Sequence, residues 1–488
     1  MRYAPQQTRA RPDIQLAAPR VNRPLLAIIR VLSGLYLRLA LGCRTVQVLQ
    51  PRVLVDAFRR ALSGQARVIV AFRHPFVDEP QILTWLFTRG VGREARSLRE
   101  RLPRRSHALF VHGYEVPRWS GRVVRALLPR MGALPIHHAR MDSAGMARIR
   151  QAITDGDYPL ALAPEGQVSY TSEAVPRLEP GAVRLGFEAA AALARAGRSE
   201  PVLLLPLSVH RRFDRRRAQK SMERVLCDTE RFLGLAQTDR QRSAERMQGP
   251  AQAAPREPAA AQGVHARLDR AVEHLVARAE AFYRLQPAAV AGVGDATPAA
   301  VLEAESEARA DGNRDARLAA VIEAAVHTGE RWLGLSTGGG DTIERVYRIR
   351  QAGWDRIYVR DDPRRQAPLD RALADRLAGE AWYAMRHMEL ADFAWYFRTR
   401  VPDPEEPLHL LVEYVQNVWD FANRLAGGAI SGRRTVRPYR TVIVAGRPLD
   451  LSARLAQYRS ARRAAVADAQ QVLRRQFEAC IDESRRAD

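Results

Sequence analysis

The stretch RTVIVAGRPLDLS (440–452) decides how the chain folds. Its run of β-branched residues, closed by Gly-Arg-Pro, reads as a strand. It follows a block from 264 to 430 in which nearly every segment has helical periodicity. A lone strand there would keep an unpaired edge and little core of its own. It is therefore expected to rejoin a sheet laid down earlier. That sheet is legible in RVIVAF (67–72), HALFVHG (107–113), GALPIH (132–137), YPLALAPEG (158–166) and PVLLLPLSV (201–209). Helical patterns lie between them, near 80–101, 119–130, 142–155 and 181–197, the last ending on Gly197. The expected fold is α/β, a mixed sheet covered by helices, with a large helical insertion. The expected domains are 44–210 plus 440–488 for the discontinuous α/β part, 211–439 for linker and helical insertion, and 1–43 for a basic arm and amphipathic helix. QGPAQAAPREPAAAQG (248–263) reads as a low-complexity linker. No repeat with a period of 20–50 residues stands out.

Composition bounds the function. The 488 residues are 46% hydrophobic, enough for a sizeable core and against wholesale disorder. The formal charge is +23, and Lys220 is the single lysine, so arginine carries the excess. Such a chain favours acidic partners. Nucleic acid is not expected, because the arginines are spread along the chain rather than gathered in one stripe. Cys43, Cys227 and Cys480 are far apart and form neither a disulfide framework nor a thiolate metal site. A reducing, cytoplasmic setting fits them.

PLLAIIRVLSGLYLRLALG (24–42) is the one membrane-like run. Arg30 and Arg38 inside it disfavour spanning. On a helical wheel Arg23, Arg30, Ser33, Gly34 and Arg38 share a sector that most Leu and Ile avoid. The run reads as an interfacial helix on the inner face of a membrane, with an anionic surface as partner. An N-terminal helix packed on the domain is the plainer alternative.

The residues with chemical potential follow the first strand, in AFRHPFVDEP (71–80). A His at a strand end, with a carboxylate on the next turn, is a base and its orienter; an ordinary polar turn is the competing reading. Other candidates are weaker. GLSTG (334–338) has the nucleophile-elbow spacing around Ser336, but a helical pattern precedes it where a strand is required. His137 and His138 are adjacent and would face opposite sides of a strand, and His107 and His112 lack carboxylates at ligand spacing. No metal or resident cofactor is expected.

Taken in order, the segments around HPFVDEP, GALPIHHAR, APEGQVSY and PVLLLPLSV resemble the four motifs of the glycerolipid acyltransferase family, which includes the 1-acylglycerol-3-phosphate acyltransferases. The resemblance covers the first α/β block and the C-terminal return. It implies that His74 is the catalytic base. Glu79 stands at the position of the family's motif acid, with Asp78 as the alternative orienter. It implies that Gly132, Ile136, His138 and Arg140 in the second motif, and Glu165, Gly166 and Ser169 in the third, form the substrate-binding surface. Pro164 and Pro206 match as well. His138 replaces a family arginine, Gln167 and Val168 replace Thr-Arg, and Arg447 replaces a Glu in the closing strand. The implied reaction moves a fatty acyl group from acyl-CoA or acyl carrier protein to a hydroxyl of a lipid acceptor. The basic stretch RGVGREARSLRERLPRR (89–105) is a candidate receiver for either anionic donor. A protein that keeps the fold but has lost the chemistry is the alternative.

Overall fold

The computed structural model describes residues 8–14, 17–137, 142–235, 263–285 and 314–487. Two units emerge: an α/β unit, Ile14–Asp214 with Arg437–Asp488, and a helical unit, Arg215–Val436 with the described residues up to Asp13. The N-terminal helix thus belongs to the α/β unit, whereas the 1–43 segment was expected to stand apart. The low-complexity linker at 248–263 lies, but for its last residue, outside the described residues.

The α/β unit is built on strands β1 (Cys43–Leu49), β2 (Arg67–Phe72), β3 (Leu109–Gly113), β4 (Leu134–Ile136), β5 (Leu160–Leu162), β6 (Val202–Arg212), β7 (Tyr439–Ala445) and β8 (Leu449–Asp450). The sheet runs β1-β7-β6-β2-β5-β3-β4 and is mixed. Strand β7 lies between β1, to which it is parallel, and β6, to which it is antiparallel. The returning segment then continues along β6 as β8, with Leu449 opposite Leu204. Among the strands of this sheet only β1 had no counterpart in the sequence reading. Its CRTVQVL mixes exposed polar residues with buried apolar ones, which a short window reads poorly.

The main helices of this unit are α1 (Arg23–Tyr36), α2 (Pro51–Leu62), α3 (Glu79–Trp85), α4 (Val91–Ser97), α5 (Gly121–Arg130), α6 (Ser143–Asp155), α7 (Gly181–Arg195) and the C-terminal helix Arg462–Arg486. Period-two alternation divides β2 between two cores. Val68, Val70 and Phe72 join Phe58, Leu83 and Phe87 on one face. Ile69 and Ala71 join Phe187 and Phe477 on the other.

The helical unit corrects one expectation: it contains a repeat. Helices α8 (Arg215–Leu233), α9 (Val264–Tyr283) and α10 (Arg314–Trp332) carry the same signature every 50 positions. Arg217, Arg267 and Arg317 head it. Glu223, Glu273 and Glu323 follow, then Glu230, Glu280 and Glu330, then Phe232, Phe282 and Trp332. The two glutamates of each helix are seven residues apart, two turns on one face. Each pair is clamped by an arginine of the next helix. Arg267 grips Glu230 through Nε and Nη2 at 2.8 and 2.7 Å and reaches Glu223 at 2.7 Å. Arg317 repeats this on Glu280 (2.9 and 2.7 Å) and Glu273 (2.7 Å). Arg345, on α11 (Thr342–Ile357), repeats it on Glu330 (2.9 and 2.7 Å) and Glu323 (2.7 Å). The fork of donors on a guanidinium suits such two-point recognition. The remaining long helices are α12 (Pro368–Tyr396) and α13 (Leu408–Leu425). Ser336 lies between α10 and α11, preceded by a helix, so no nucleophile elbow forms. Asp341 caps α11 in a capping box with Glu344.

Candidate active site

Strand β2 ends at Phe72, and the chain then turns into α3, whose first residue is Glu79. The turn brings His74 and Glu79 together: Nδ1 of His74 lies 2.6 Å from Oε2 of Glu79. The second carboxylate oxygen accepts the backbone N–H of Phe76 at 2.6 Å, which fixes the carboxylate plane. Glu79 is fully buried and the His74 side chain is 17% exposed. With Nδ1 engaged, Nε2 is left without a hydrogen bond among the described residues, and it is the nitrogen available to a substrate. The imidazole meets the edge of Phe72 at 6.0 Å.

Asp78 does not meet the imidazole. Its Oδ1 takes a hydrogen bond from Nη2 of Arg211, and its Oδ2 takes one from the hydroxyl of Tyr439 at 2.9 Å. The Arg211 guanidinium is stacked between Phe76 and Tyr439, 4.0 and 4.4 Å from their ring centres. The adjacent acids thus point to different partners, Asp78 to β6 and β7, Glu79 to the imidazole. This follows from their places at the helix start, where successive side chains diverge by about 100°.

The electrostatics follow from burial and pairing. Burial is the largest single influence on His74 and acts to lower its proton affinity. The bond to Glu79 and its charge, with Glu165 and Asp78 behind it, outweigh burial and raise His74 above its ordinary value. Burial pushes the Glu79 carboxyl up to about 7, against the pull of His74. The imidazole and the carboxylate therefore titrate as a coupled pair.

The third-motif segment is structural support for the dyad. Glu165 is buried, bonded to Nε of Arg73, and accepts the backbone N–H of His74 at 3.1 Å. Arg73 also donates to the carbonyls of Thr171 and Ala174, both at 2.8 Å. Ser169 donates its backbone N–H to the carbonyl of His74 at 2.9 Å, and its buried hydroxyl has no partner among the described residues. Gly166 has φ +74°, a turn that glycine adopts without strain. Glu165 was expected to shape the acceptor site; it is committed instead to Arg73 and to the His74 backbone.

The described second-motif residues, Gly132 and Ile136, are bound into other elements. Gly132 has φ +74°, and a Cβ there would lie 2.8 Å from Val21 and 2.9 Å from Leu109. Its role is a tight turn between α5 and β4. Ile136 is half-buried in β4, where its carbonyl accepts the Tyr114 N–H at 2.9 Å. His137 stacks on Tyr114 with ring centres 4.0 Å apart. His138 and Arg140 lie outside the described residues. Sequence reasoning missed Arg73, Arg211 and Tyr439. The first two are arginines at the far ends of apolar strands, a signal that charge counting hides. Among the described residues no cluster of His, Cys, Asp and Glu is arranged to hold a metal ion.

Helix α1 docks through Leu26 and Ser33, and the turn Leu37–Leu41 that follows it docks through Leu37 and Leu41, while Arg23 and Arg38 are exposed. Ser33 is buried at 8% exposure, and Gly34 faces the Trp85 ring of α3. Ile28, Val31, Leu32, Leu35 and Leu39 point outward, Val31 at 69% and Leu39 at 76% exposure. Arg30 is half-buried with no partner for Nε. Burial, then the like charge of Arg105 and Arg96, lowers its proton affinity. None of these three arginines pairs with an acid among the described residues.

The chain matches no model of a known protein family, no curated protein and no solved structure.

Proposed function

We propose that the protein is an acyltransferase that moves a fatty acyl group from acyl-CoA or acyl carrier protein to a hydroxyl of a glycerolipid or lysophospholipid. The observation that carries this reading is the His74–Glu79 dyad at the end of β2, with Nε2 of the imidazole unengaged. The order of the four family-like motifs supports it. In the reaction, the acceptor hydroxyl gives its proton to Nε2 as its oxygen bonds to the thioester carbonyl carbon. The tetrahedral adduct collapses, the carbon–sulfur bond breaks, and Nε2 passes the proton to the departing sulfur, which leaves as the thiol and restores the neutral imidazole. Glu79 keeps the proton of Nδ1 in place and stabilises the transient imidazolium. No acyl-enzyme is required.

The surroundings fit a lipid substrate. The outward apolar stripe of α1 suits the interfacial region of a membrane, and α1 packs on α3, the helix that presents Glu79. Arg30, Arg96 and Arg105, with no acid partner among the described residues, suit phosphate groups of an anionic headgroup or of the donor. The catalytic base would then sit close to the surface from which the acceptor arrives.

A second reading, a lipid-binding protein of this fold without activity, draws on one observation. Gly132, Glu165 and Gly166 serve the scaffold rather than presenting a cation to an acceptor phosphate. The deciding experiment incubates purified protein with radiolabelled acyl-CoA, or acyl carrier protein, and a panel of lysophospholipids and diacylglycerol. Product formation by wild type and its loss in His74→Ala supports transfer. No product from any pair, with lipid binding retained, replaces it with the second reading.

A further inference from the structure

Three acids surround His74, and the chain treats them unequally. Glu165 comes from the loop after β5 and is neutralised by Arg73. Asp78 is neutralised by Arg211 of β6 and further bonded by Tyr439 of β7. Glu79 alone is bonded to no arginine and meets the imidazole. Each arginine is buried, and replacing a buried partner leaves its counterion uncompensated. Arg211 is held especially firmly. Phe76 and Tyr439 stack on its two faces, and the Phe76 N–H is the donor that fixes Glu79. One guanidinium therefore grips both neighbours of the Glu79 carboxylate.

We propose that Arg211 is a positioning residue of the His74–Glu79 dyad: by anchoring and neutralising Asp78, it leaves Glu79 as the one carboxylate that meets the imidazole. The inference rests on the dyad reading of the site. It gives a use to a buried arginine, and it explains why two adjacent acids follow the histidine. With Asp78 tied to the sheet, the proton on Nδ1 has a single acceptor, so the tautomer that frees Nε2 is fixed. The charged and titratable groups around the dyad are Arg73, Asp78, Glu165, Arg211, Tyr439 and, behind Arg211, Cys43.

The test follows the His74 imidazole by NMR titration in the full chain, so it does not depend on knowing the acceptor. Wild type is compared with Asp78→Asn, Arg211→Met and the double variant. Asp78→Asn removes a negative charge and leaves Arg211, so the His74 midpoint should fall by about half a unit or more. Arg211→Met bares Asp78, so the midpoint should rise by about as much. The double variant, which removes both charges together, should return close to wild type. It also keeps the test decisive should Arg211→Met alone fail to fold. Midpoints unchanged in all variants, or shifted the same way by both single changes, overturn the proposal. An activity that survives His74→Ala sinks the dyad reading instead and leaves this titration result standing by itself.

Discussion

The hydroxyl of Tyr439 donates a 2.9 Å hydrogen bond to Oδ2 of Asp78 across 361 residues of sequence. The bond ties the C-terminal return to the turn that carries His74. Strand β7 is therefore part of the candidate site, and the helical unit is inserted into the α/β unit between the two halves of one constellation.

Removing that tie has a measurable cost. Tyr439→Phe keeps the ring against Arg211 and deletes the donor to a buried carboxylate. A hydrogen bond to a charged group contributes about 1.5–3 kcal/mol, so the variant should unfold at lower denaturant by a corresponding amount. An unchanged midpoint would mean the bond contributes nothing net.

In the proposed reaction, His74 acts as base only as the neutral imidazole with its proton on Nδ1. His74 lies above its ordinary 6.5, so the rate should rise with pH through a midpoint above that value and flatten beyond it. Glu79→Gln removes the bond and the charge that raise His74. Its acid limb should move to lower pH, and its plateau should drop by about 10²–10⁴, the usual worth of such assistance. If Glu79→Gln kept the wild-type plateau and midpoint, Glu79 would have no part in the mechanism.

Gly132 is expected to matter for folding rather than for chemistry. Gly132→Ala forces a Cβ onto a left-handed residue, about 1–2 kcal/mol, and into Val21 and Leu109. Thermal stability should fall while the specific activity of folded protein stays at the wild-type level. A folded variant with impaired acceptor KM would restore Gly132 to the binding surface.

Much of the α/β unit was legible because its strands are short apolar runs with glycine and proline between them. RTVIVA in particular had nowhere to pair except an earlier sheet. The site was legible to the level of His74 and its two acids. The choice between Asp78 and Glu79 was not, because it depends on Arg211 and Tyr439, whose approach is set by strand pairing. The repeat escaped notice because identity is confined to a few positions per helix, with dissimilar segments between. Only the clamp geometry adds Arg345 to Arg267 and Arg317, because Arg345 falls off the 50-residue spacing.

The clamps should dominate the stability of the helical unit. Glu330 is fully buried, and Arg345→Met would leave its charge without its two-point partner. Breaking one side of a buried pair costs about 3–5 kcal/mol. Adding Glu330→Gln should recover part of that loss, since Arg348, 3.4 Å from Glu330, compensates the remaining charge only in part. Hydrogen exchange along α10 and α11 would report both changes, and equal protection in wild type and Arg345→Met would refute the clamp as a stabilising device.

The mounting of α1 gives the last expectation its sign. Leu26, Ser33, Leu37 and Leu41 already dock this segment, and Ile28, Val31, Leu32, Leu35 and Leu39 remain as a second apolar face turned outward. Burying one such aliphatic side chain contributes about 1.5–3 kcal/mol. Val31→Glu with Leu35→Glu should therefore reduce partitioning onto vesicles at least about a hundredfold without unfolding the protein, because both side chains are already exposed. Replacing Arg30, Arg96 and Arg105 with alanine acts on the other term. Each basic residue near an anionic surface is worth about 1 kcal/mol, so binding to anionic vesicles should weaken and become less salt-dependent while binding to neutral vesicles holds. Co-sedimentation at several salt concentrations separates the two contributions. If both variants sediment with anionic vesicles as wild type does, the membrane is not what covers this face.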